Sequence, residues 1–127
     1  MEQELYDKIY QMLLDMGYRV EHTLPRDEAV YPYIHIGSSS GQFSVPKPPQ
    51  ILGNVNINID FYGDDTMRFD INNMIILVYN ELMKGYSEGT NYKYTIDMNS
   101  SSYSMYESIS DNNTLWVGTI NVTFNYK

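Results

Sequence analysis

Two strict alternations constrain this chain more than anything else in it. Val55, Ile57, Ile59 and Phe61 take every second position of one segment, and Asn54, Asn56, Asn58 and Asp60 fill the positions between. A period of two is the signature of a half-buried antiparallel strand, apolar towards a core and polar outward. A second segment, Tyr31-Pro32-Tyr33-Ile34-His35-Ile36-Gly37, alternates in the same way. Pro32 belongs near its start or on an edge, because it cannot donate to a ladder. The outward face of 54–60 carries amides where Lys or Glu would be ordinary. An amide can hydrogen-bond a neighbouring protein without the desolvation cost of a charge. The pattern therefore points to an assembly component before it points to an enzyme.

The remaining elements follow from periodicity. Residues 2–16 predict an amphipathic helix with Leu5, Ile9, Met12, Leu13 and Met16 at helical spacing and Gly17 as its stop. Tyr18 to Leu24 reads as a short strand, and Pro25-Arg26-Asp27-Glu28 as a turn. Residues 38–53 hold Ser38-Ser39-Ser40-Gly41, Pro46, Pro48, Pro49 and Gly53, which predicts a long loop. After Gly63 a second helix is expected, with Asp64, Asp65 or Thr66 as its N-cap. Ile71, Met74, Ile75, Val78 and Leu82 form its stripe, widened by Phe69, Ile76, Leu77 and Tyr79, so it should be the more buried helix. Gly85 ends it.

Three more segments complete the sheet. Tyr92 to Met98 alternates as a strand, Asn99 to Ser104 is a Ser-rich tip, and Tyr103 to Ile109 adds a short irregular strand. The last strand, Thr114 to Tyr126, places Trp116, Gly118, Ile120, Val122, Phe124 and Tyr126 on one face. The expected fold is a single α+β domain over residues 1–127. It is a two-layer sandwich in which a mainly antiparallel sheet of four to five strands carries both helices on one face.

Composition narrows the function. The net charge of −8 argues against sequence-independent nucleic-acid binding, which needs Lys and Arg to displace counterions. It leaves room for DNA to slide past an acidic surface that repels phosphate. With no Cys there is neither a disulfide framework nor a thiolate metal site. The acidic, helical N-terminus does not read as a leader, and the apolar run from Met74 to Tyr79 is too short to span a bilayer. A cytosolic protein away from membranes is expected. Thirteen tyrosines stand out: Tyr has strand propensity, and it is also enriched where surfaces meet partners.

No constellation carries a reaction. His22 and His35 lie on different segments and would need carboxylate help to hold a metal, so neither a metal nor a cofactor is expected. Asp60, Asp64, Asp65 and Asp70 lack the spacing of a calcium loop, and Asp64 and Asp65 suit a helix start. Ser38-Ser39-Ser40-Gly41 lacks the Gly-Lys-Ser/Thr ending of a phosphate loop, and no Gly-x-Ser-x-Gly elbow occurs. What remains is surface. Gln42, Phe43, Val45 and Lys47 in the 38–53 arm are candidate partner contacts, and Asn54, Asn56, Asn58 and Asp60 are candidates for a subunit interface or a lumen.

At this level the chain resembles the tail terminator (tail completion) proteins of long-tailed, non-contractile bacteriophages. The resemblance rests on Met16-Gly17-Tyr18 closing the first helix and on Tyr31-Pro32-Tyr33-Ile34-His35-Ile36-Gly37. It continues through the intervening loop, the strand entering Phe61-Tyr62-Gly63, and Arg68 leading to the Ile75-Ile76 helix. It covers nearly the whole length in order of elements. The chain departs from the pattern at Tyr62, where many relatives carry Trp, and in a reduced middle loop. The resemblance implies a non-enzymatic subunit of a homo-hexameric ring in the virion tail, present in the host cytoplasm during assembly. Such a ring caps the head-proximal end of the tail tube, ends tube polymerisation, and meets the tail tube protein and the head connector protein. Genomic DNA passes through its lumen without specific binding. Two other readings stay open: a head–tail connector, neck or other minor tail protein, and a small ligand-binding or enzymatic α+β domain.

Overall fold

The computed structural model describes residues 2–21, 31–43, 53–86, 90, 92–110 and 113–126. In chain order these form α1 (Glu2–Asp15), β1 (Val20–Glu21), β2 (Tyr33–Phe43), β3 (Gly53–Asp64), α2 (Arg68–Leu82), β4 (Tyr94–Ile96), a 3-10 turn (Met98–Ser100), β5 (Ser102–Ser110) and β6 (Asn113–Tyr126). The strands make one sheet in the order β1-β2-β3-β6, with β4 and β5 both on the far flank of β6. Every pairing is antiparallel except that of β1 with β2. The α+β class and the one-sided helices agree with the sequence. Among the described residues the sheet has six strands, because the two-residue β1 and three-residue β4 add to the longer ones.

The alternation of β3 is realised without a break: its twelve residues are buried and half-buried in turn. Val55, Ile57, Ile59 and Phe61 pair with Phe124, Val122, Ile120 and Gly118 of β6, and Phe61 and Ile59 pair with Ile34 and Ile36 of β2. These residues form one core with Leu5, Ile9 and Leu13 of α1 and with Ile71, Met74, Ile75, Val78 and Leu82 of α2. Each such side chain, fully buried, is worth roughly 1.5–3 kcal/mol. Both helices therefore dock on the same apolar face.

Two glycines let α2 approach. A β-carbon on Gly63 would come 2.8 Å from Ile71 Cγ1, and one on Gly118 would collide with Ile75. Gly17 and Gly85 take positive φ, +88° and +69°, just beyond the two helices. That left-handed geometry is available to glycine at no steric cost.

Several expectations are corrected. The arm predicted to be a loop over 38–53 is shorter. Residues 38–43 continue β2 past an irregularity between Ile36 and Ser39, with Phe43 opposite Gly53, so strand pairing claims serines and glycine that read as loop. Asp64, Asp65 and Thr66 do not cap α2. Met67 precedes the helix without a side-chain cap, while Asp64 Oδ1 accepts the Thr66 amide at 2.8 Å and its hydroxyl at 2.6 Å. Asp64 still belongs to β3, one turn too early to reach the helix amides.

Phe69, Ile76 and Leu77 do not widen the buried stripe: Phe69 is 80% exposed, and the others are exposed too. The sheet covers only one side of α2, so side chains far round the cylinder stay outside. Last, β5 is a regular nine-residue strand where the sequence predicts a tip and an irregular segment, and the Tyr92–Met98 strand shrinks to Tyr94–Ile96. The Pro25–Glu28 turn and residues 22–24 of the Tyr18–Leu24 strand lie outside the described residues, and within the described part the strand is Val20–Glu21.

Candidate functional site

The face of the sheet turned away from the described helices is laid out in rows by strand register. Asn54 lies opposite Asn125, Asn56 opposite Thr123, Asn58 opposite Asn121, Asp60 opposite Thr119, and Tyr62 opposite Val117. On the far flank β5 extends the rows, with Ser102 opposite Asn121, Ser104 opposite Thr119 and Tyr106 opposite Val117. On the near flank His35 lies opposite Asp60, and Tyr33 opposite Tyr62. The result is an amide and hydroxyl field, then a row with His35 and Asp60, then an aromatic row.

Side-chain bonds knit the field together. The Asn56 amide donates to Asn121 Oδ1 at 2.7 Å and to Thr123 Oγ1 at 2.8 Å. The Thr123 hydroxyl donates onward to the Ser100 carbonyl, and the Ser101 hydroxyl receives the Thr123 amide. Thr123 is 8% exposed, so these partners satisfy a buried polar group that would otherwise cost about 1–3 kcal/mol. The field is thus pre-ordered, and ordered amides lose less entropy when they meet a second surface.

In the next row the Thr119 hydroxyl donates to Asp60 Oδ1 at 3.1 Å. His35 Nδ1 stands 3.8 Å from Asp60 Oδ2, too far for a hydrogen bond, and finds no other hydrogen-bond partner among the described residues. In the aromatic row Tyr31 stacks on Tyr33 at 5.6 Å and Tyr33 on Tyr62 at 5.2 Å. Tyr33 is 1% exposed although it belongs to the outer face, so ring stacking builds a small second core there. Burial pushes the Tyr62 hydroxyl up to about 12, helped by the charge of Asp60 and by Tyr106.

Of the candidate residues, Asn54, Asn56, Asn58 and Asp60 are brought onto one surface as predicted. Gln42 belongs to β2 and is the register partner of Asn54, and Phe43 that of Gly53. These two therefore sit in a strand and not in a free arm. Val45 and Lys47 lie outside the described residues. Thr119, Asn121 and Thr123 occupy the positions between the apolar ones of the last strand, but nothing in that segment alone joins them to Asn56 and Asp60. The signal was the register, which follows once both alternating runs are paired through Ile59 and Ile120.

Elsewhere, an open groove of about 450 Å³ lies on the helix side, lined by residues including Lys8, Met12, Asp15, Met16, Glu81 and Tyr86. Polar groups along it are engaged with neighbours: Gln11 donates to Asp15, Lys84 donates to Glu81, and the Tyr86 hydroxyl is turned onto Met12 Sδ at 3.2 Å. Among the described residues no group of three or more His, Cys, Asp or Glu side chains could hold a metal ion, and no described helix is long and apolar enough to cross a membrane. Compared with known proteins, the chain matches no family model and no curated protein.

Proposed function

We propose that this chain is a structural, non-catalytic subunit that assembles with copies of itself, and that its assembly is a tail-terminator ring of a long-tailed, non-contractile bacteriophage. Six copies close the ring. It caps the head-proximal end of the tail tube, stops tube polymerisation and offers its other side to the head connector. DNA crosses the lumen without specific contacts, repelled by a chain of net charge −8. The subunit resides in the virion tail, and in the host cytoplasm while tails are built. No cofactor takes part.

One observation carries the reading. The described helices share one face of the sheet, while the other presents a bonded field of amides and hydroxyls around Asn56, Asn121 and Thr123. A surface so ordered suits a flat, polar protein neighbour better than a small substrate, which calls for a concave, mostly apolar pocket. The tail assignment itself rests on the sequence resemblance.

The test is multi-angle light scattering of the purified chain, alone and with tail tube protein, beside electron microscopy of tube lengths. A hexamer, free or formed on tube ends, with tubes of limited length is the expected result. A strict monomer that never joins tubes would reverse the assignment, and binding to the connector alone would move the chain to the neck.

A further inference from the structure

Among the described residues, strand β5 is an uncovered edge whose one charge is Glu107. It pairs with β6 in unbroken register from Ser102↔Asn121 to Ser110↔Asn113, and among the described residues nothing pairs with its other flank. Natural edge strands are blunted by shortness, Lys, Pro or a bulge. Here the strand is nine residues long, SYSMYESIS, with neither Lys nor Pro and with no shift of register. It holds large side chains out on both faces: Tyr103 is 58% exposed, Tyr106 54% and Ile109 73%.

The strand is also its own complement. Tyr106 stands at its midpoint, so an antiparallel copy related by a twofold axis through Tyr106 overlaps the whole strand. That register sets Tyr103 against Ile109 of the second copy, Ser104 against Ser108, and Ser102 against Ser110. Glu107 then faces Met105, so no like charges stand directly opposite, which would be destabilising. A twofold axis through Glu107 would oppose two carboxylates instead.

We propose that β5 is a homotypic docking strand, through which two copies of this chain join antiparallel about Tyr106 to make one continuous sheet. The contact is isologous. It therefore goes beyond the cyclic ring, joining two free subunits or two rings back to back. The neighbouring helix adds apolar surface: Tyr79 packs on Tyr103 with ring centroids 5.7 Å apart, and exposed Ile76 and Met83 follow at helical spacing along α2. A strand pair alone buries less than the roughly 1,200–2,000 Å² of a stable interface, so the dimer forms with rising concentration.

The cysteine-free chain allows a direct test. Opposed Cα atoms in an antiparallel pair lie about 4.5–5.5 Å apart, within disulfide reach. With diamide as the two-electron oxidant, Tyr106→Cys should give a covalent dimer at least tenfold faster than a Thr95→Cys control on β4. An equimolar mixture of Tyr103→Cys and Ile109→Cys should give mainly the mixed dimer, since like positions lie about 20 Å apart along the strand. Cross-linking at 106 no faster than the control, or a statistical mixture from 103 and 109, overturns the proposal. Should a cysteine variant fail to fold, Ile109→Lys supplies a second reading: concentration-dependent dimers in light scattering should disappear, and their persistence refutes the contact. A chain that cross-links at 106 yet forms no hexamer keeps this contact and removes the ring.

Discussion

The side chain of Ile75 occupies the space that a β-carbon on Gly118 would need. Gly118 pairs with Phe61 in the β3–β6 ladder, so α2 packs tightly against the sheet at this position. Gly118→Ala should lower stability by about 1–3 kcal/mol, the usual cost of overpacking a filled core. Urea denaturation checks this, and a neutral result would show that α2 can shift away without loss.

The Asn56 amide is the hub of the polar field, donating to both Asn121 and Thr123. Asn56→Ala should cost about 1 kcal/mol, as for a typical hydrogen-bonded group. Asn56→Asp should cost more, because it removes the donor and turns a carboxylate towards the Asn121 oxygen. Paired denaturation curves would expose the difference, and equal stability of all three proteins would deny the network any energetic role.

Arg68 lies over the ring of Trp116, its guanidinium 5.3 Å from the centroid. Trp116 is the one tryptophan of the chain, so its fluorescence reports on the surroundings of this ring, which are the Arg68 guanidinium and the edge of the core. Arg68→Ala should change the emission while lowering stability by only about 0.5–1 kcal/mol. An unchanged spectrum would place the guanidinium elsewhere in solution.

Alkaline pH should unfold the protein through its tyrosines. Burial raises the hydroxyls of Tyr86 and Tyr94, aided by Glu81 for the first and by the Glu4 hydrogen bond for the second, and it pushes Tyr62 up to about 12 from the ordinary 10.0. A raised folded-state value means the folded protein holds the proton more tightly than the unfolded chain does. The stability contributed is therefore complete below pH 10 and is lost as the pH climbs towards about 12. Urea midpoints measured from pH 8 upward should stay level and then fall, with a shallower fall in Tyr86→Phe. A level midpoint through pH 11 would refute the assignment.

Asn54 and Asn125 face each other at the end of the amide field. Asn54→Lys should leave the melting temperature almost unchanged, since the side chain is only half-buried, while abolishing assembly by setting an unpaired charge in the interface. Light scattering with tube protein separates the two effects. Normal rings from this variant would remove the polar face from the contact.

The sequence made the centre of the fold legible and its margins less so. The β3 and β6 alternations specified their own inward faces, because a one-residue slip would turn Val55, Ile57, Ile59 and Phe61 to the solvent. The helix stripes were equally plain at Leu5, Ile9 and Leu13, and at Ile71, Ile75, Val78 and Leu82. Strand pairing overrode local chemistry elsewhere: Ser39 to Gly41 and Ser102 to Ser104 read as loop but complete ladders with β3 and β6. The stripe of α2 was read too broadly because periodicity cannot tell how far round a helix the sheet reaches. Of the candidate site, the β3 column was visible, but the columns beside it were not. His35 beside Asp60, and Asn56 bonded to Asn121, depend on which strands lie next to each other, and no single segment carries that.

Strands β4 and β5 share one flank of β6, end to end, with the Met98–Ser100 turn as the joint between them. Thr123 clamps that joint through Ser100 and Ser101, and β3 grips the opposite flank from Gly53 to Asp64. Peeling β5 outward therefore breaks one ladder together with the packing of Tyr103 on Tyr79 and of Met105 on the core, while β3 and β6 still pair beneath the helices. Anything gripped at that margin can be released by local detachment, well short of melting the molecule.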